Sequence, residues 1–131
     1  MSGKRNKKMG SENRAVGPLG EDIAARFLAG KGYRIIGRNV RTFVGELDIV
    51  ARKYSSMIFV EVKTRKSKLF GPPYLSITAK KKRKLMQCAL CYLKMKGITD
   101  SPWQIDIISI NVDKFKNVAE KIEHFENAIE E

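Results

Sequence analysis

The stretch Met57-Ile-Phe-Val-Glu-Val-Lys-Thr-Arg most limits how this chain can fold. It is short and rich in β-branched and aromatic residues, so it reads as a strand. From Ile58 to Val62 it is apolar on both faces except at Glu61, which suits a central strand covered on both sides. A second run of the same kind, Gly45-Glu-Leu-Asp-Ile-Val-Ala-Arg, precedes it, and the polar connector Lys53-Tyr54-Ser55-Ser56 predicts an antiparallel hairpin. Side chains alternate across a strand. Leu47 and Ile49 then share one face, with Glu46, Asp48 and Val50 on the other. Ile58, Val60 and Val62 likewise oppose Phe59, Glu61 and Lys63. A turn at Tyr54 and Ser55 sets Asp48 directly across from Glu61.

Two carboxylates so placed repel by about 3 kcal/mol at roughly 5 Å and an effective dielectric of about 20. Like charges directly opposite in a sheet are destabilising. A divalent cation offsets that cost, and hard cations such as Mg²⁺ take carboxylate oxygens. Lys63, on the same face, sits beside such an ion. The plainer alternative is a solvated Glu61–Lys63 pair with Asp48 at the surface. The apolar surroundings of Glu61 weigh against it, because a carboxylate in such a strand is rarely left unpaired.

The charge balance points to the partner. Against 14 Asp and Glu stand 26 Lys and Arg, a formal net charge of +12 over 131 residues. That excess suits a polyanion, with nucleic acid ahead of an anionic membrane surface. No apolar run has the length of a membrane span, the basic N-terminus lacks an apolar h-region, and two cysteines make no disulfide framework. The expectation is a cytoplasmic protein with no membrane partner.

Residues 1–17 are basic and aperiodic, predicting a flexible arm ahead of a single domain over 18–131. Leu19 to Lys31 has the apolar stripe of a helix in Ile23, Ala24, Phe27 and Leu28. Glu21 falls in its first turn, where an acid favours the helix dipole; the other reading is a third carboxylate leaning toward Asp48 and Glu61. Tyr33 to Asn39 reads as a strand, and Thr64 to Tyr74 as a loop punctuated by Gly71-Pro72-Pro73. Ser76 to Lys96 is a second helix, with Thr78 able to cap it.

From Lys63 to Lys84 there are nine basic residues and no acid. Lys80, Lys81, Lys82, Arg83 and Lys84 crowd the first turns of that helix, where they oppose its dipole, so helix propensity did not choose them. With Arg65, Lys66 and Lys68 they suit a phosphate-backbone surface; the alternative is a solvated face. Trp103 to Val112 reads as a strand. After it, Val118, Ile122, Phe125 and Ile129 have helical spacing, although a short strand through Ile122 also fits.

Cys88-Ala-Leu-Cys91 matches C-x-x-C, but it lies mid-helix among apolar residues, and His124 is the chain's single histidine. Neither thiolate redox chemistry nor a zinc site is favoured there, and small buried apolar residues are the better reading.

Taken together, Glu21, Gly45-x-x-Asp48, Glu61-Val62-Lys63, Lys81 and Asp106 resemble the YraN-like bacterial family. That family is related to archaeal Holliday-junction resolvases within the PD-(D/E)xK restriction-endonuclease-like superfamily. The resemblance spans about Gly17 to Asn127, with Gly-Glu-x-Asp followed by Val-Glu-Val-Lys as its most specific part. It implies an α/β, three-layer, restriction-endonuclease-like fold whose mixed sheet has αβββαβ core order flanked by helices. It implies metal ligation by Asp48 and Glu61, completed by Glu21, with Mg²⁺ or Mn²⁺ as cofactor. Lys63 would position or activate the attacking water, and Lys81 would face phosphate. It favours the strand near Ile122. Gln104-Ile105-Asp106 stands where the family has Arg-Phe-Asp.

The expected function is a metal-dependent endonuclease acting on DNA, including branched or repair intermediates, with a homodimer as the assembly the related resolvases suggest. The alternatives are a non-catalytic or partner-dependent nucleic-acid-binding module and, more weakly, an RNA-processing endonuclease.

Overall fold

Strand pairing begins where the hairpin pattern places it. A computed structural model of the chain describes residues 11–66, 77–113, 115 and 118–129. Strand β2 (Glu46–Lys53) turns at Tyr54 and Ser55 into β3 (Ser56–Arg65), antiparallel, with Lys53 opposite Ser56 and Ile49 opposite Val60. Strand β1 (Arg34–Arg41) pairs antiparallel with the outer edge of β2. After β3 the chain crosses through helix α2 (Ala79–Met95) and returns as β4 (Trp103–Val112), parallel to β3. Strand β5 (Ala119–Phe125) closes a five-stranded mixed sheet of order β1-β2-β3-β4-β5.

The two central strands are apolar on both faces because a helix covers each face. On one, Leu85, Ala89 and Tyr92 of α2 pack over Val50, Phe59 and Ile105. The Phe59 ring meets Tyr92 edge-on at 5.6 Å, a favourable aromatic geometry. On the other, Ala24 and Leu28 of helix α1 (Ser11–Gly30) pack over Ile49, Val60, Ile108 and Ile110. The molecule is therefore a three-layer α/β fold, with the element order αβββαββ. Thr78 caps α2 as its sequence position predicts, its hydroxyl accepting from the Lys81 N–H at 3.1 Å. No helix among the described residues is long and apolar enough to cross a membrane.

Strand β3 runs through Thr64 to Arg65, where the expected loop was to begin, and residues 67–76, which take in the rest of that loop, lie outside the described residues. Two further local readings differ. Helix α1 begins at Ser11 rather than Leu19, inside the stretch expected to be an arm; residues 1–10 of that arm lie outside the described residues. Glu, Arg and Ala favour helix without any apolar period to announce it. At the other end the helical spacing of Val118, Ile122 and Phe125 yields a strand instead, as the family resemblance implied. Pairing with β4 covers an edge that would otherwise expose a row of backbone groups, and it brings Ile122 against the α1-side core.

Candidate functional site

Carrying the β2–β3 register one step beyond Ile49 and Val60 brings Asp48 opposite Glu61. The ladder stops there. The Val62 N–H donates instead to Asp48 Oδ2 at 2.9 Å. Strand β2 thus parts from β3 at the acidic pair, and Leu47 turns into the α2-side core rather than sharing the face of Ile49, as strict alternation predicted. Glu61 is 6% exposed. Burial, then the Glu61 charge, pushes the Asp48 carboxyl up to about 7, against the opposing pull of the Val62 N–H and Lys81. Near neutral pH the pair therefore favours a proton or another cation.

Lys81 supplies part of that charge. Its Nζ lies 3.5 Å from Glu61 Oε2, so the side chain expected to face phosphate turns toward the carboxylate pair. Lys80, Lys82, Arg83 and Lys84 are exposed beside it. A cleft on this surface is lined by Thr78, Lys80, Lys81, Arg83, Lys84 and Gln87. Lys63, half-buried, follows Glu61 by two residues and so shares its face of β3. Arg65 and Lys66 are half-buried at and just past the end of β3, while Lys68 lies outside the described residues.

Glu21 approaches from the other helix. A Cβ at Gly20 would overlap the Thr64 hydroxyl, so α1 can lie this close to β3 only with glycine there. Burial raises the pKa of the Glu21 carboxyl. A hydrogen bond from the Asn39 side chain opposes that shift, and the Asp48 charge adds to it. Glu21 therefore stands within electrostatic reach of Asp48, and its Oε1 is 3.9 Å from the Arg38 guanidinium, which also holds Asp22 at 2.8 Å.

Asn39 is the residue that sequence reasoning missed. It sits at φ 50, a left-handed conformation that Asn tolerates, and an Asn inside a strand was the available signal.

Among the described residues, no group of three or more His, Cys, Asp or Glu side chains is close enough to hold a metal by itself. The structure thus brings Asp48 and Glu61 together and leaves Glu21 at the rim. Two hard oxygen donors in a repelling, half-neutralised pair still fit Mg²⁺ or Mn²⁺, because Mg²⁺ keeps several waters and uses one or two carboxylates.

Asp106 belongs elsewhere. It pairs with Val60 in register and so points to the α1 face, away from Glu61. There it is fully buried and fully bonded. Gln104 Nε2 donates to Oδ1 at 2.8 Å, the Asn127 N–H to Oδ1 at 2.9 Å, and His124 Nε2 lies 2.7 Å from Oδ2. Lys31 Nζ is 2.8 Å from His124 Nδ1 and can only donate, so the ring proton sits on Nε2. Gln104 thus satisfies the carboxylate at the position where the resembled family has arginine. Cys88 is buried in the α2-side core and Cys91 is half-buried with its Sγ 3.7 Å from Met95 Sδ.

The frame is a mixed five-stranded sheet between two helices, with a largely enclosed carboxylate pair where two strands part beside a basic helix. Residues 20–110 match the uncharacterised protein family UPF0102, and the chain belongs to that family. It is 44% identical to a UPF0102 protein of Pelobacter propionicus over 121 residues, covering 91% of this chain and 85% of that one. With a UPF0102 protein of Geobacter sulfurreducens it shares 43% identity over 118 residues, 90% of this chain and 91% of the relative. A UPF0102 protein of Symbiobacterium thermophilum is 43% identical over 98 residues, 75% of this chain and 83% of the relative.

Proposed function

We propose that this protein is a Mg²⁺- or Mn²⁺-dependent nuclease of the restriction-endonuclease-like class, hydrolysing nucleic-acid phosphodiester bonds, with DNA as the first candidate. The observation that carries the reading is the pairing of half-buried Asp48 with buried Glu61, set where β2 parts from β3 and bordered by the basic first turns of α2. Asp48 and Glu61 would hold the cation. When bound, such an ion lowers the pKa of water and neutralises charge developing on phosphate.

The chain's own residues do the rest. The Val62 N–H fixes the Asp48 carboxylate beside Glu61, with which it also shares a side-chain hydrogen bond that a cation would replace. Lys63 Nζ, on the same strand face, orients a water or takes up negative charge beside the pair. Lys80, Lys82, Arg83 and Lys84 hold the phosphate backbone, fixing position without reading sequence. The three-layer frame with αβββαβ as its first six elements agrees with this class.

A specific observation favours a second reading. Lys81 already neutralises Glu61, and no third acid closes the cage among the described residues. A nucleic-acid-binding module that does not cut, or that cuts only with a partner, would look the same.

The test is cleavage of labelled four-way junction, duplex, single-stranded DNA and RNA with Mg²⁺, Mn²⁺ or EDTA, beside Asp48→Asn and Lys63→Ala. Metal-dependent cutting lost in both variants supports the nuclease and identifies its substrate. Salt-sensitive binding without cutting on every substrate sinks it in favour of the binding module.

A further inference from the structure

The turn between β1 and β2 carries a phenylalanine held out in water. Phe43 is 90% exposed. Its turn is not loose. The Thr42 hydroxyl accepts from the Val44 N–H at 3.1 Å and the Gly45 N–H at 3.0 Å. The Thr42 N–H and hydroxyl both donate to the Gly45 carbonyl at 2.7 Å. Val44 packs against the α2-side core. A Cβ at Gly45 would stand 3.0 Å from Cys88 Sγ and 3.3 Å from Lys84 Cε, so the turn lies close against α2 and a side chain there would press on it. Turn chemistry therefore fixes where Phe43 points, and its ring stays in solvent rather than in the core.

Its surroundings are cationic. Exposed Arg41 precedes it, and exposed Lys84 of the basic helix lies against the same turn. Gly45 is three residues from Asp48, a step of at most about 10 Å at strand rise. A second copy of this chain is a poor occupant for such a spot, since each copy carries a net charge of +12. An anion with an apolar face fits both features. Unpaired nucleotides have that chemistry: phosphates for the cations, and an exposed base face for the ring. Stacked, paired bases in a regular duplex offer the phosphates but hide the faces.

We propose that Phe43 is a stacking platform for an unpaired base, making the substrate a nucleic acid with unstacked nucleotides beside the acidic pair rather than uniform duplex. The proposal rests on the nucleic-acid reading above and names its substrate class. Phe43 acts by binding and orienting; it touches no reacting atom.

The experiment measures binding in EDTA, so it does not depend on cleavage. Fluorescence anisotropy would compare a labelled duplex, the same duplex with an internal loop of unpaired bases, and that loop made abasic. Wild type is expected to prefer the based loop. Phe43→Ala should lower the loop-to-duplex affinity ratio by about tenfold or more, on the order of one stacked base. Phe43→Trp should keep the ratio. On the abasic loop Phe43→Ala should match wild type, because no base remains to stack. Circular dichroism would establish that the variants are folded.

An unchanged ratio in Phe43→Ala, with wild type binding normally, overturns the stacking role alone. A wild type that binds none of the three probes removes the nucleic-acid reading, and this proposal with it. A loss of self-association in Phe43→Ala by sedimentation, with the ratio unchanged, assigns the ring to a protein contact instead and overturns the proposal.

Discussion

The Asp48 carboxylate accepts the Val62 N–H at 2.9 Å, in place of the ladder bond that β2 would have offered that strand. One hydrogen bond thus ends the β2–β3 pairing, satisfies a half-buried donor and fixes an acid beside Glu61. The strain of the site is electrostatic rather than conformational, and it shows in how the protein should respond to pH.

Asp48 titrates near 7 in the fold against 3.8 for the free group. Between those values the native state binds more protons than the unfolded chain, so stability falls as pH rises from about 4 to about 7. Asp48→Asn removes the carboxylate and keeps an oxygen for the Val62 N–H. The variant should exceed wild type above pH 7 by up to a few kcal/mol and converge with it near pH 4. Urea unfolding across that range measures the difference; parallel curves for the two proteins would refute a raised Asp48 pKa.

A cation that replaces the proton should reverse this loss. Mg²⁺ or Mn²⁺ should raise the Tm of wild type more at pH 8 than at pH 5.5, by about 2.7 kcal/mol of stabilisation when present at a hundredfold its Kd. EDTA should abolish the shift. Asp48→Asn and Glu61→Gln should not respond, and a response that survives in both would move the metal off this pair.

The basic helix should reveal itself through salt. Replacing Lys80, Lys82, Arg83 and Lys84 by Ala should lower the steepness of log K against log salt by about 0.9 for each duplex phosphate that is no longer neutralised. Titrations at several salt concentrations give the slope. Thr78 still caps the helix in this variant, so folding should persist.

Gly20→Ala should cost about 1–3 kcal/mol, the usual range for overpacking, because the new methyl meets Thr64. Thr64→Ala should recover much of it in the double variant. A double-mutant cycle by chemical denaturation checks the coupling, and additive costs would mean that α1 shifts without resistance.

Asp106→Ala should be among the costlier single changes, about 3 kcal/mol or more, since it leaves His124, Gln104 and the Asn127 N–H without their acceptor in the core. Nucleic-acid affinity of the folded fraction should be unaffected. A selective loss of binding with stability intact would instead connect this network to the site.

Much of this protein is legible in the sequence because its period-2 patterns are strong. The apolar run around Glu61 announces a strand covered twice, and the short polar connector fixes the register that sets Asp48 across from Glu61. Thr78 announces its helix because capping is a local hydrogen bond. Those features depend on near neighbours, which a sequence displays.

Tertiary structure decided the rest. Helical spacing around Ile122 gave way to a strand, because a neighbouring β4 edge outweighs a local period. Lys81 turned to Glu61 and Asp106 to the opposite face from it, since a side chain's partner depends on which elements the fold brings together. Asn39 and Arg38 met Glu21 only because Gly20 lets α1 lie against Thr64. The sequence by itself determined the β2–β3 hairpin, its register and the acidic pair. Which charges surround that pair was settled by packing between distant segments, where burial and long-range pairing act and local pattern carries no information.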